Sequence, residues 1–526
     1  MNLSSILPPD AKHISFFGKT TPLLSPRERG ERRHEIPLLS PPQSEISSAQ
    51  RTDREPGERK HETPLLSPRE RGERRKSYCG SGEPQRRVMH APLIVFALLF
   101  FAAVSTYAQP ITLRIETRSV GRTEIVVMPF RAAKDSAFAA DLPRSLREVI
   151  VSDLSYCGYF NVVQPEDLPP DTMIQVRRVG NKWDTLRTFG GSIAARVQGS
   201  ITVGWDGVTA GIAIFQPPIK DPIHLKDFHF KTDDLRPAGH EIAAWITKTI
   251  TGEDGGFTSR IVFVVKTGDN KNLWIMDWDG ANPRSLTSDK TLNMSPSWAP
   301  DGKTLYFTSF RAGNADIYKY DLETGHMSSF VASPHVDSAP AVSPDGQWVA
   351  YCSAADGNPE IHRCRPDGTG RTQLTFSYGV DTSPCWSPTS RELVFTSDRG
   401  GTPQIYRMDA EGANVMRLTF AGGYNETARW SPRGDLIAFA SREIGFQIFT
   451  IASDGSGERR VTGDGSNLDP SWSPDGMKLV YCSQSAGKSA VWTCNWDGSN
   501  ARQLTFGINA SQPQWGPAIS VVQSEN

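Results

Sequence analysis

The sequence predicts a six-bladed β-propeller of four-stranded blades, preceded by an α+β domain and closed by its own C-terminal strand. Three observations carry this. A proline recurs at Pro300, Pro344, Pro388, Pro432, Pro474 and Pro517, at intervals of 44, 44, 44, 42 and 43 residues. Two places before it stand Trp298, Trp386, Trp430, Trp472 and Trp515, with Val342 the departure. A fixed period of this length marks a repeat architecture. Each period also breaks into four short strand-like runs, with no room for an amphipathic helix. The third observation is phase. Ile261–Val265 enters as the second strand of a unit, and Gln512–Pro517 ends the repeat as a first strand with nothing after it. Pairing the two removes two exposed sheet edges at once, so the ring is expected to close between residues 261–287 and 507–517.

The unit around Trp386 shows the internal grammar. Thr382–Trp386 is short and extended, Ser387–Ser390 is a turn, and Leu393–Ser397 is β-rich. Gln404–Asp409 is the third run, and Val415–Thr419 follows the Glu411-Gly412 turn as the fourth. Runs of five or six residues between Gly, Asp, Asn and Pro turns are antiparallel blade strands.

Upstream, residues 1–88 do not read as folded protein. Thr-Pro-Leu-Leu-Ser-Pro-Arg-Glu-Arg-Gly-Glu-Arg-Arg stands at 21–33 and again, identical, at 63–75. The segment is rich in Pro, Ser, Arg and Glu and has no apolar period, so it cannot bury enough surface to offset chain entropy. It is expected to be disordered, or upstream DNA translated from a start codon set too early. Met89 then becomes the start, and Ala91–Val104 the apolar core of a secretory signal spanning 89–108, with cleavage after Ala108. Residues 1–88 carry 17 Lys+Arg against 12 Asp+Glu, which leaves 40 against 46 for the rest, a net charge of −6. That balance disfavours nucleic acid as a partner.

Residues 109–255 form the α/β domain. Ile111, Leu113 and Ile115 alternate with polar residues as a half-buried strand, and Glu124–Phe130 is an apolar one. A helix follows, with Asp141 as its cap and Leu142, Leu146, Ile150 and Leu154 on one face. Tyr159–Val163, Ala195–Val203, Gly211–Phe215 and Ile223–Phe230 read as strands. Arg236–Thr251 reads as a second helix, with Ile242, Trp245, Ile246 and Ile250 inward and Gly252 as its stop. The propeller occupies 256–519, and 520–526 is a disordered tail.

Motifs of chemistry are few. Gly190-Gly191-Ser192-Ile193-Ala194 falls one residue short of a nucleophile elbow. Asp277-Trp278-Asp279-Gly280 and the Asp-Gly pairs at 367, 454 and 497 lack the ligand run of a calcium loop and are read as hairpin turns. His240 is expected to pack or bond at the domain junction rather than hold a metal. Cys352/Cys364 and Cys482/Cys494 share a spacing of 12. With Cys352 opposite Ile361, Cys364 lies too far along the strand for a bridge at roughly 3.3 Å per residue, and buried thiols are expected.

Function therefore falls to surfaces. The first strand of every blade lines the axial funnel, so the residues ahead of each Trp-x-Pro are expected to face it: Asn293 and Met294, Asp337, Ser338 and Ala339, Asp381 and Thr382, Asn425 and Glu426, Asn467 and Asp469. An Asn or Asp in each set would form a polar ring suited to a partner's polar or basic loop. The alternatives are that these Asn and Asp make local turn bonds, or that Asp381, Glu426 and Asp469 act as acids or bases in a propeller hydrolase or peptidase relative acting on peptides or glycans.

Leu235-Arg236-Pro237-Ala238-Gly239-His240, the helix it opens, Thr251-Gly252, and Arg260–Val265 running into repeated Trp-Ser-Pro-Asp-Gly units resemble the TolB family of the Tol–Pal cell-envelope system. Val127–Phe130 and Gly158-Tyr159-Phe160 add to the resemblance, which spans 110–517. Val342 for Trp and Thr427-Ala428 for Ser-Pro depart from the pattern in the third and fifth blades. The resemblance implies a non-enzymatic, monomeric periplasmic scaffold without a cofactor, supporting outer-membrane integrity and envelope constriction at division. It implies a Pal-type lipoprotein as partner at the funnel. It also implies that the mature N-terminal strand, with Ile111, Leu113 and Ile115, reaches a TolA-type inner-membrane protein.

Overall fold

The computed structural model describes residues 122–518, apart from 133–140, 169–173, 180–181, 188–192, 218, 220 and 444. The leader, the signal segment, the strand with Ile111, Leu113 and Ile115, Gly190–Ser192 and the tail lie outside the described residues.

The N-terminal domain is built on β1 (Thr123–Val127), whose Ile125, Val126 and Val127 are wholly buried. It lies between β3 (Phe160–Val163) and β6 (Ala195–Val203), parallel to both. Next to β6 come β7 (Val208–Phe215) and β8 (His224–Phe230), antiparallel, and the short β2 (Arg131–Ala132) pairs β6 from outside that path. On β7, burial alternates along the whole strand as a half-buried face requires. Helix α1 (Leu142–Tyr156) buries Leu146, Ile150 and Leu154, and α2 (Leu235–Thr251) buries Ile242, Ile246 and Ile250. Gly239 permits the two helices to approach, because a Cβ there would stand 2.6 Å from Val149 Cγ1. Gly252 ends α2 in the left-handed conformation, φ 83°, and its N–H donates to the Lys248 carbonyl.

Two expectations need correction here. Asp141 precedes α1 but makes no side-chain cap; it is already helical at φ −90° and ψ −16°, where a cap bond calls for extended backbone. The hairpin β4 (Ile174–Val179) and β5 (Lys182–Arg187) was not foreseen. Its strands are too charged to show a clear alternation, although Gly180-Asn181 between them is a hairpin signal.

Residues 260–515 form six four-stranded sheets. The C-terminal strand Asn509–Trp515 lies against Arg260–Thr267, with Ala510 opposite Val265 and Trp515 opposite Ile261, so the ring closes as the phase of the repeat predicts. Cys352 stands opposite Ile361 and Cys482 opposite Val491, and all four thiols of the two spaced pairs are buried and free. Five of the six fourth strands are shorter than expected, two residues each, while Met327–Val331 in the second blade keeps five. In the Trp386 blade only Met416–Arg417 pairs. Thr419 has left the ladder so that its Oγ1 accepts the Ile405 N–H at 3.0 Å.

The N-terminal domain meets blades five, six and one on the face of the 1–2 and 3–4 turns. Arg433 donates to the Tyr159 hydroxyl at 3.1 Å and pairs with Glu253, Gly158 lies beside Asn495, and Arg236 pairs with Asp279. One apolar core runs through this junction, from Ile150 and Ile246 to Phe257, Trp278 and Val480. At its centre His240 bonds Asp153 through Nδ1 at 2.7 Å, both buried, with the Trp278 indole edge-on to the imidazole.

Burial, offset in part by His240, pushes the Asp153 carboxyl up to about 6. Burial alone would lower His240, but its bond to Asp153 and that group's charge outweigh this and raise it. Both shifts have the same consequence for stability. The raised acid destabilises the fold as pH climbs above the ordinary carboxylate range, and the raised base loses its contribution as pH passes above its folded value. Thermal unfolding should therefore occur at progressively lower temperature from pH 5 to pH 8, with a flatter profile in Asp153→Asn. His240→Ala should cost about 3–5 kcal/mol in denaturant titration, the usual result of stranding one half of a buried pair.

Candidate functional site

Every blade's first strand carries the same distortion. Ser295, Ala339, Ser383, Thr427, Asp469 and Gln512 occupy equivalent positions and have φ between 50° and 54°. Each sits in a β-bulge, where the register slips between the first and second strands. A left-handed residue with a side chain costs roughly 1–2 kcal/mol, so this strain must be held by what surrounds it. The bulge turns main-chain N–H groups toward the preceding blade. Ser295 donates to Gln512 Oε1 at 2.9 Å, Ala339 to Thr308 Oγ1 at 3.1 Å and Thr427 to Thr396 Oγ1 at 3.2 Å.

These bulges frame a throat of about 150 Å³ on the ring axis. Among the expected funnel residues, Met294, Ser338, Ala339, Thr382, Glu426 and Asp469 line it, joined by Ser383, Thr427, Arg429, Gln512 and Gln514. Asn293, Asp337, Asp381, Asn425 and Asn467 do not. Their side chains are buried and turned into the body of the ring. Asn293 Nδ2 donates to Asn272 Oδ1, Asn425 Nδ2 to Gln404 Oε1 at 2.9 Å and Asn467 Nδ2 to Gln447 Oε1 at 3.0 Å, in each case across to the preceding blade. Asp337 accepts from Ser353 Oγ, and Asp381 pairs with Arg399 at 2.6 Å. The expected ring of exposed Asn and Asp is thus corrected to a buried one. Side chains alternate along a strand, so where the second residue of each set faces the axis the first must face away. The same fact removes Asp381 from any acid–base set with Glu426 and Asp469.

The throat remains acidic. Asp469 is half-buried, and its Oδ2 has no hydrogen-bond partner. Burial first, and the Glu426 carboxylate second, push its carboxyl up to about 6. Glu426 accepts from the Tyr424 hydroxyl at 3.3 Å. An acid of this kind is poised for a cationic partner, which would return it to its ionised form.

Sequence reasoning missed the rim. Phe376, Tyr378, Phe420 and Phe506 are exposed in the connections from one blade's fourth strand to the next blade's first, on the face where the first strands begin. Arg417 stacks 5.0 Å from the Phe420 ring. The signal was present as Leu374-Thr375-Phe376, Leu418-Thr419-Phe420 and Leu504-Thr505-Phe506: the Leu and Thr are buried in each, and the Phe is not.

At the junction, His240, Asp277 and Asp279 have ligand atoms within 4.8 Å of one another. Asp279 is already engaged by Arg236 and Asp277 by Asn282, and Arg502 faces the Trp278 ring beside them. The cluster therefore carries its own counter-charges.

The family described as TolB beta propeller domain matches residues 247–519, and that described as TolB amino-terminal domain matches 111–213. The Tol-Pal system protein TolB of Zymomonas mobilis is 48% identical over 404 residues, which is 75% of this chain and 87% of that protein. The Tol-Pal system protein TolB of Polaromonas naphthalenivorans is 33% identical over 236 residues, 43% of this chain, and the match spans only 49% of that relative's length. The crystal structure of TolB from Acinetobacter baumannii superposes with a TM-score of 0.64 at 26% identity, covering 76% of this chain and 97% of that one.

Two substitutions separate structure from site. Asn425→Ala should destabilise by about 1–3 kcal/mol, since it strands buried partners. Thr427→Gly should raise the unfolding midpoint, because it relieves a β-branched residue at φ 54° and removes a buried Oγ1 with no partner. Differential scanning calorimetry of the two reads both signs.

Proposed function

The chain belongs to the TolB family, and from that premise we propose that it is a non-enzymatic periplasmic scaffold of the Tol–Pal system, holding a Pal-type lipoprotein over the propeller throat. What carries the reading is the throat itself. Two carboxylates, Glu426 and Asp469, stand in a pocket walled by strained main chain, under a rim of exposed aromatic residues. A basic or amide-rich loop of the lipoprotein enters the throat, and Phe376, Phe420 and Phe506 supply apolar area around it, as aromatic residues do in most interface hot spots.

The remaining parts follow the same family reading. The apolar run after Met89 directs export, and cleavage leaves Gln109 at the mature terminus. The segment bearing Ile111, Leu113 and Ile115 offers a strand to a TolA-type inner-membrane protein by edge addition. The mature protein works as a monomer, and the system it serves maintains the outer membrane and its constriction at division. Among the described residues no helix is long and apolar enough to cross a membrane.

Binding should show the protonation of Asp469. The lipoprotein's cationic group selects the ionised acid, so affinity falls as pH drops through about 6. If binding restores the ordinary carboxylate pKa, the loss between pH 7 and pH 5 is about tenfold. Asp469→Asn should flatten that profile, and Phe420→Ala should weaken binding at every pH while leaving the unfolding midpoint within about 0.5 kcal/mol of wild type. Calorimetric titration of purified Pal-type lipoprotein into the mature protein measures all three. A flat wild-type profile with full affinity in both variants would place the contact elsewhere.

A further inference from the structure

Blade three alone has acids in both of its junctions. At three other junctions a third-strand amide meets the amide that opens the next blade: Asn272 with Asn293, Gln404 with Asn425 and Gln447 with Asn467. Ser489 and Asn509 close the junction of blades six and one, again without charge. On either side of blade three the same two positions hold carboxylates. Asp316 of blade two meets Asp337, and Glu360 meets Asp381 of blade four. The main chain brings each pair together, because the Asp337 N–H donates to the Ala315 carbonyl and the Asp381 N–H to that of Pro359, both at 2.8 Å.

These four acids are buried, none more than 4% exposed. Glu360 accepts from Thr375 Oγ1 and from the Ser377 N–H, and Arg399 pairs with Asp381 at 2.6 Å. The junction of blades two and three lacks both aids. Val331 stands in the place of Thr375 and Ala355 in the place of Arg399, each 44 residues earlier. Asp316 Oδ1 and Asp337 Oδ2 are left without a hydrogen-bond partner. The charged groups around them supply little relief. Burial outweighs the pull of Asp337 on His362 and pushes that imidazole below its usual value, and Arg311, 5.3 Å from the Tyr318 ring, is already paired with Asp289. The Cys352 thiol, near Asp337 and Asp381, is pushed up to about 12 by burial and stays neutral.

A carboxyl so placed keeps its proton beyond the ordinary range, since ionisation there costs both desolvation and repulsion from the second acid. Burial first, and Asp337 second, raise Asp316; burial first, with Asp381 beside it, raises Glu360. We infer that blade three is a proton-held segment of the ring, whose two junctions loosen together as pH rises. The closed junctions bind protons that opened ones release, so opening becomes easier above the ordinary carboxylate range. The mouth of the ring feels this on one side. Ser338 and Ala339 of blade three line the throat, and the connection that leaves the blade carries the exposed Phe376 and Tyr378. The inference concerns the ring itself and does not rest on the lipoprotein reading.

Hydrogen exchange of the mature chain, read by mass spectrometry from pH 5 to pH 8 and corrected for the intrinsic rate, follows the opening blade by blade. Protection of residues 337–373 should fall about tenfold as pH rises, the effect of one unit of pKa. Glu360→Gln keeps the shape of the protonated acid. Asp316→Gln with Asp337→Asn and Val331→Thr writes the clasp of blades four and five into the junction of blades two and three. Each change should make the profile of 337–373 shallower, and together they should flatten it. Asp153 and His240 stay intact in these variants, so their own pH dependence cancels in the comparison. Glu360→Gln alone gives the answer if the larger variant does not fold. A flat wild-type profile in 337–373, or the full wild-type fall retained in a folded amide variant, would overturn the inference.

Discussion

The ring is held by a buried polar clasp repeated between blades. Propeller sheets share no ladder with their neighbours, so side chains must join them. In the clasp, a threonine just past the fourth strand takes the N–H of a third-strand residue and donates to a third-strand amide or carboxylate. Thr419 does so with Ile405 and Gln404, Thr462 with Ile448 and Gln447, and Thr287 with Leu273 and Asn272. The next blade's Asn425, Asn467 or Asn293 then donates to that same acceptor. A buried network of this kind favours one arrangement, because a slip would lose the bonds it makes, although Asn425 Oδ1 and Asn467 Oδ1 have no partner within it. Between blades three and four the clasp is built from acids, Glu360 and Asp381. Burial first, and Asp381 beside it, raise the Glu360 carboxyl, and Arg399 pairs with Asp381.

The clasp lets the throat hold its strain. Six non-glycine residues at positive φ would relax if the first strands were free to shift, but each strand begins with a side chain locked in the preceding blade or in its own hairpin. In five of the blades anchor and bulge lie two residues apart, so the order that builds the ring also fixes the main-chain donors and the two carboxylates on its axis. A pocket so placed needs little reorganisation to receive a partner, and less of the interaction energy is then spent on ordering it.

The sequence made the ring legible because period and phase are properties of spacing, and spacing survives substitution. Strand order, closure and the register that separates Cys352 from Cys364 all follow from it. The funnel was legible only to one residue. Knowing that a strand lines an axis does not say which of two adjacent residues faces it, and the bulge that decides this comes from left-handed backbone at Ser, Ala, Thr, Asp and Gln, which carry no sequence mark of that conformation. Asn293, Asp337, Asp381, Asn425 and Asn467 drew attention because they recur, yet their recurrence belongs to the clasp. Phe376, Phe420 and Phe506 recur as well, but an aromatic residue beside a buried Leu-Thr pair reads as core until burial is known. The charged hairpin Ile174–Arg187 shows the reverse limit, since it has a turn signal and no apolar pattern to attract notice.

The two faces of the ring do different work, for a physical reason. The face of the 1–2 and 3–4 turns carries the clamps from Lys319, Arg363 and Arg407 and receives the N-terminal domain over three blades, where a continuous core joins them. An interface with a shared core is expected to move as one piece, unlike the polar contacts that allow domains to rock. Any influence of the throat on the N-terminal domain must then pass through the ring itself. The shortest covalent route is the closing blade, because its first strand carries Gln512, whose Oε1 lines the throat and accepts from Ser295 of the neighbouring blade. That strand ends in Trp515, and its indole donates to Ser259 Oγ at 2.8 Å, in the link that leads back to α2. One strand therefore touches both the axis and the junction.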